Sequence, residues 1–200
     1  MITMENVQDP LFYQENRLPA HSDHLVYRDL QEAYCGKSSL VHSLNGSWKF
    51  HYAKNSQEHT YGFEKVNYNC RNWDNILVPG HIQLQGYDRP QYTHLMYAWG
   101  GHETVHPGEI PQRKNGMLSY VNYFSFQPKE GSRLRISFQG VESAFAVWLN
   151  GEYIGYSEDT FTPADFDVTE AVTAGENKLA VLVFQFSSGS WLEDQDFWRF

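Results

Sequence analysis

The sequence predicts an all-β domain, a jelly-roll β-sandwich preceded by an extended N-terminal arm. Three observations carry that expectation: apolar residues that alternate over short runs, an Asn-Gly pair between two such runs, and no helical period of any length. The chain has 200 residues, 41% hydrophobic and 16% aromatic, enough for one substantial core with strand-rich chemistry.

Residues 1–40 carry Pro10, Pro19, His21 and His24 with no sustained period, and read as an arm with a short helical turn near Arg28 to Ala33. Such an arm needs a surface to pack on. Residues 41–200 read as the jelly roll. In SLNGSWKFHYA, Trp48, Phe50 and Tyr52 fall on one face of a strand that follows an Asn-Gly turn. In SRLRISF, Leu134, Ile136 and Phe138 alternate with Arg133, Arg135 and Ser137, as in a half-buried strand. AFAVWL, Asn150-Gly151 and EYIGYS spell a hairpin, because both central residues of a type I′ turn need positive φ. KLAVLVFQF (Lys178 to Phe186) is almost wholly apolar and predicts a central strand covered on both faces. Between them, ADFDVTEAVTAGEN reads as a short capped helical turn followed by a tight return at Gly175.

Composition excludes several partners. The formal charge is −9, without a basic stripe, so neither nucleic acid nor an anionic membrane surface is expected. No apolar run reaches the roughly 18 residues of a membrane span. The N-terminus lacks the basic and apolar regions of a signal peptide, and Cys35 and Cys70 are too few for a disulfide framework. A cytoplasmic protein with free thiols is the expectation.

Two histidine motifs fail on context. HETVH (His102 to His106) matches the zinc-protease pattern, but that pattern grips a metal only on a helix. Gly100-Gly101 and Pro107-Gly108 flank it, and Pro107 drives His106 out of helical geometry, so a loop is expected. His21 and His24, in a polar arm, read as surface residues.

The stretch WLEDQDFWRF ends the sequence. On an extended backbone Asp194 and Asp196 point the same way and repel unless a cation or hydrogen-bond donors lie between them. Two readings remain open from the residues alone: a solvated loop paired with Arg199 or water, or a polar cluster for sugar hydroxyls or a hard cation, walled by Trp191 or Trp198. A glycosidase pair is excluded, because its two carboxyls must flank the scissile bond.

Several stretches are familiar together. SLNGSWKF, VPGHIQLQGYDRPQYT, GVESAFAVWLNGEYIGYSEDTFTPADFDVTEAVTAGENKLAVLV and SGSWLEDQDFWRF, in that order, resemble the N-terminal sugar-binding domain of the bacterial β-galactosidases of glycoside hydrolase family two. NRLPAH (Asn16 to His21) resembles the arm of those enzymes, and only residues near 53–72 and 98–116 depart from the pattern. GYDRPQYT with LEDQDFWR narrows the likeness to β-galactosidases rather than glucuronidases or mannosidases.

The resemblance implies a galactose-binding-domain-like jelly roll within a larger multidomain chain that hydrolyses terminal β-D-galactosyl residues, as in lactose, by a retaining mechanism. No catalytic residue is expected in this chain, since the family's two glutamates lie on a downstream TIM barrel, and the 200 residues alone should be inactive. Asp196 is implied to contact galactosyl hydroxyls and a sodium ion completed by downstream residues. His94 stands where relatives have an asparagine that binds the sugar. Imidazole can also hydrogen-bond a hydroxyl, with a different reach. The family also uses Mg²⁺, with ligands outside this chain. The implied partners are a β-galactoside, the remaining domains, and either identical subunits or a small subunit beside a large one. The ending at Phe200 is expected to be a boundary cut through a motif. The rival readings are a freestanding carbohydrate-binding module and a structural domain of a related family-two glycosidase with another sugar specificity.

Overall fold

The structure, a computed structural model, describes residues 2–22, 24–94, 96–193 and 197–199, with the side chains of Thr93 and of 197–199 left aside. In chain order the elements are α1 (Met4–Gln8), β1 (Gln14–Glu15), α2 (Leu30–Cys35), β2 (Gly46–Ala53), β3 (Asp74–Val78) and a 3-10 turn (Ile82–Gln85). There follow β4 (Gln91–Thr93), β5 (Met117–Phe126), β6 (Arg135–Phe138), β7 (Ala144–Leu149), β8 (Glu152–Ser157), β9 (Ala164–Asp167), β10 (Gly175–Phe184), α3 (Ser190–Glu193) and β11 (Phe197–Arg199). Seven strands form one sheet in the order β1-β8-β7-β10-β5-β2-β3, while β6-β9 and β4-β11 form two small ladders. Every strand pairing among the described residues is antiparallel.

The period of two in β7 and β10 builds two apolar layers. Phe145, Val147 and Leu149 join Leu179, Val181 and Val183 on one face, where Ile136 of β6 and Phe166 of β9 close the sandwich. Ala144, Ala146 and Trp148 join Ala180, Leu182 and Phe184 on the other, beneath Val7 of α1 and Phe63. The central strand expected from KLAVLVFQF is therefore covered on both sides. Trp48 and Phe50 of β2 face the first layer as the alternation requires.

Asn150 (φ 53°) and Gly151 (φ 82°) make the hairpin turn in the left-handed region, as two positive-φ residues must. The β7-β8 register then slips between Val147 and Trp148. Val147 faces Gly155 and Trp148 faces Tyr153, which leaves Ile154 as the extra residue of a bulge.

Two elements differ from expectation. Ala164–Asp167 is a strand, not the start of a helical turn, because Arg135–Phe138 offers it a partner with Ile136 opposite Phe166. The turn follows it, with the Asp167 carboxylate accepting from the Thr169 amide (3.0 Å) and hydroxyl (2.6 Å). Part of the arm also finds its surface on this domain. Gln14 and Glu15 extend the large sheet at β8, Val7 is fully buried, and Arg17 bridges to Phe166. Gly155 permits that approach, since a Cβ there would stand 2.5 Å from the Glu15 carbonyl oxygen. Farther along, α2 is capped by the Asp29 carboxylate at one end and left-handed Gly36 at the other, yet Leu25, Leu30 and Tyr34 stand exposed.

The loop over the second face is fastened by lysines. The buried Lys178 ammonium donates to the carbonyls of Phe63 (2.8 Å), Lys65 (2.5 Å) and Tyr68 (3.3 Å), and Lys49 donates to those of Arg71 and Trp73. Burial lowers the Lys178 pKa, and the converging carbonyl dipoles are what make a cation tolerable there. No helix among the described residues is long and apolar enough to cross a membrane.

Candidate functional site

GYDRPQYT places the first loop. Pro90 has no amide hydrogen and cannot donate to a ladder, so β4 begins just after it. Asp88 turns the chain in the left-handed region (φ 57°), and its carboxylate accepts from the Gln185 side chain at 2.9 Å. The Tyr87 hydroxyl donates to Asp74 at 2.8 Å while its ring packs on Phe50 at 4.7 Å. The loop is thereby tied to β3, to the core and to the end of β10.

The partner of β4 comes from the far end of the sequence. Phe197 pairs with Thr93, Trp198 with Tyr92 and Arg199 with Gln91. Gln91–Thr93 and Phe197–Arg199, which belong to two stretches singled out separately in the sequence, thus lie side by side on one antiparallel ladder. His94 adjoins Thr93 and is exposed, with its ring parallel to that of Tyr92 (7° between planes, centroids 6.0 Å apart). Asp196 precedes Phe197 but lies outside the described residues, as does Asp194, and the side chains of Trp198 and Arg199 are not described.

The start of α3 is held by a group that sequence reasoning missed. Glu158, just beyond β8, is 5% exposed, and four residues donate to its carboxylate: Tyr156 (2.7 Å), Ser187 (2.9 Å), Ser188 (3.3 Å) and the Gly189 amide (3.0 Å). Burial pushes its pKa up, while the donated hydrogen bonds pull the other way. The available signal was parity: Glu158 lies two residues after the buried Tyr156 and so shares its face. This bond set fixes residues 187–189, from which α3 leads to the DQD stretch.

Trp191, one of the two candidates for an aromatic wall, is built into an aromatic cluster. Its ring packs against Tyr97 (4.6 Å) and Trp99 (5.2 Å), both roughly edge to face. The two histidine motifs also resolve. His102–His106 runs as a loop whose Glu103 carboxylate accepts from the amides of Gln112 (2.9 Å) and Arg113 (3.0 Å). His21, expected on the surface, bridges instead to Asp165 at 2.9 Å, while its other ring nitrogen meets the Ser22 carbonyl. The Ser22 carbonyl, followed by the Asp165 carboxylate, raises the His21 pKa, because both favour the protonated ring.

Comparison with known proteins places this architecture. The family model described as glycosyl hydrolases family 2, sugar binding domain, matches residues 41–200. The chain belongs to that family. It is 55% identical over 205 residues to a β-galactosidase of Halalkalibacterium halodurans, a match covering 100% of this chain and 20% of that protein. It is 40% identical over 207 residues to a β-galactosidase large subunit of Leuconostoc lactis, covering 97% of this chain and 33% of the relative. The family-two chain therefore spans about a fifth to a third of the length of these curated relatives. A solved β-glucuronidase from Bifidobacterium dentium, complexed with coumarin-3-O-glucuronide, shares the fold at TM-score 0.51 and 24% identity. That match covers 70% of this chain and 19% of the solved one.

Proposed function

We propose that this chain serves as the sugar-binding domain of a β-galactosidase, with residues 1–40 as an interface arm and residues 41–200 as the jelly roll. In this reading the whole enzyme hydrolyses terminal β-D-galactosyl residues, as in lactose, by a retaining mechanism in the cytoplasm. The two catalytic glutamates belong to a barrel outside these residues. Asp196 and His94 supply hydrogen-bonding groups to the galactosyl hydroxyls from the substrate side.

The observation that carries this reading is the β4-β11 ladder. It pairs Tyr92 and Thr93 with Trp198 and Phe197, the strands that adjoin His94 and Asp196 in the sequence, although most of the domain separates them along the chain. A ladder can hold two hydrogen-bonding side chains at fixed spacing, which recognition of a sugar's hydroxyl pattern requires. The galactoside class follows from the relatives' names.

Asp196 is the residue this chain would offer to a sodium ion completed by downstream residues, and the Mg²⁺ ligands would lie outside it. A bound sodium would add fixed positive charge beside the sugar hydroxyls. Among the described residues no three His, Cys, Asp or Glu side chains converge as a metal site, so no step here is routed through either ion. The exposed Leu25, Leu30 and Tyr34 of the arm give apolar surface for the remaining domains or a second subunit.

Calorimetry of the isolated chain with galactose and lactose tests the division of labour. Weak or no heat is expected, because the other half of the site is elsewhere. Clear binding by these residues alone would favour a freestanding carbohydrate-binding module.

A further inference from the structure

The large sheet has two edges. At β1 the arm supplies a last strand of two residues, while at β3 the sheet ends in five, Asp74–Val78. Among the described residues no strand lies beyond β3. The outward N–H and C=O groups of such an edge are a template for a strand of another molecule. At β3 one of those positions is already filled by a side chain. The Gln85 carboxamide oxygen accepts from the Leu77 amide at 2.8 Å, and its NH₂ donates to the Leu77 carbonyl at 3.1 Å. Two residues of a hydrogen-bonded antiparallel pair exchange both N–H···O bonds in the same way. Gln85 therefore stands in for one residue of a missing neighbour strand.

The VPGHIQLQG stretch builds this plug. His81 opens the 3-10 turn Ile82–Gln85, in which residues three apart eclipse. Ile82 is buried in the first apolar layer, and that anchors the turn with Gln85 on the same side. Gly86, in the left-handed region at φ 96°, ends the turn, and Tyr87 fixes its exit against Phe50 and Asp74. Gly80 leaves the room: a Cβ there would stand 2.7 Å from the Gln85 side-chain nitrogen and 2.9 Å from the Leu77 carbonyl oxygen.

We propose that Gln85 is an edge plug that keeps a second copy of this chain from pairing with β3. A second copy is the partner because two identical antiparallel strands about a two-fold axis are self-complementary and close on themselves. Leu77 and Leu84 are 64% and 68% exposed on the two segments that the plug joins, so apolar surface lies beside the groups that its loss would free.

The test is sedimentation velocity of the full-length protein carrying this chain, with hydrogen–deuterium exchange of the peptide that contains Leu77. Gln85→Ala is expected to add dimers of the wild-type species that grow with concentration. In dilute solution it should also speed exchange at Leu77 about five- to tenfold, the size of one hydrogen bond. Gly80→Ala keeps the glutamine but crowds its amide, and is expected to do the same; it stands in should Gln85→Ala fail to fold. Adding Leu77→Lys to either variant sets like charges against each other across the two-fold axis and should return the mass to the wild-type value. Wild-type assembly in both plug variants would overturn the proposal, whatever the exchange shows. So would added association that Leu77→Lys does not reverse.

Discussion

Phe197 pairs with Thr93, so His94, the residue next to Thr93, stands just beyond the last rung of the β4-β11 ladder. His94 is exposed, and its replacement should leave stability within about 0.5 kcal/mol. In the full-length enzyme, His94→Ala is expected to raise KM for a galactoside about three- to tenfold through loss of one hydrogen bond. His94→Asn should recover most of it. Steady-state kinetics of the two variants checks this.

Glu158 offers a stability test. Glu158→Ala leaves the buried Tyr156 and Ser187 hydroxyls without their carboxylate acceptor and the Gly189 amide with only the Ser187 hydroxyl oxygen. Unfolding in urea is expected to show a loss of about 3 kcal/mol, because orphaned buried donors cost more than their bonds contributed. Glu158→Gln should fall between, since its carbonyl still accepts but its NH₂ faces donors.

Acid should weaken the loop over the second face through His59. This ring is 7% exposed, its Nδ1 has no hydrogen-bond partner among the described residues, and burial pushes its pKa down to about 4 from 6.5. A depressed pKa means the contribution is complete above pH 6.5 and is lost as pH falls through about 4. His59→Phe is expected to flatten the stability profile over that window by about 1–3 kcal/mol. His21 has the opposite sign: its pKa is raised by the Ser22 carbonyl and Asp165, so its contribution fades as pH rises through the raised value.

Gly155 governs the docking of the arm. A methyl there meets the Glu15 carbonyl oxygen at 2.5 Å and the Phe166 ring at 2.6 Å, both of them firmly placed. Gly155→Ala is expected to lift β1 from β8, with faster proteolysis within residues 10–20 and a loss of about 1–3 kcal/mol. Unchanged cleavage would show that the arm is held elsewhere.

The parts of the fold legible in the sequence are those whose pattern is local. Asn150-Gly151 specifies its own turn, and Leu179 to Phe184 specify two buried faces by apolar content alone. β9 was hidden because ADFD has turn-forming aspartates, and its strand state depends on Ile136 across the ladder. β4 and β11 are three-residue strands whose partners are remote, so nothing local announces them. At the site, residue chemistry left Asp194 and Asp196 between solvated loop and sugar or cation ligand, and resemblance to the family singled out Asp196 and His94. Glu158 escaped notice because its role lies in bonds to tyrosine and serine hydroxyls and to a backbone amide, and none of these follows from residue type.

The central claim is that this domain supplies the substrate side of a galactoside site through Asp196, and kinetics of Asp196→Asn in the full-length enzyme tests it most directly. The charge is lost while the shape is kept, so the account predicts a fall in kcat/KM of at least about a hundredfold with an unchanged unfolding transition. Near-normal turnover of nitrophenyl β-D-galactoside by that variant would contradict it.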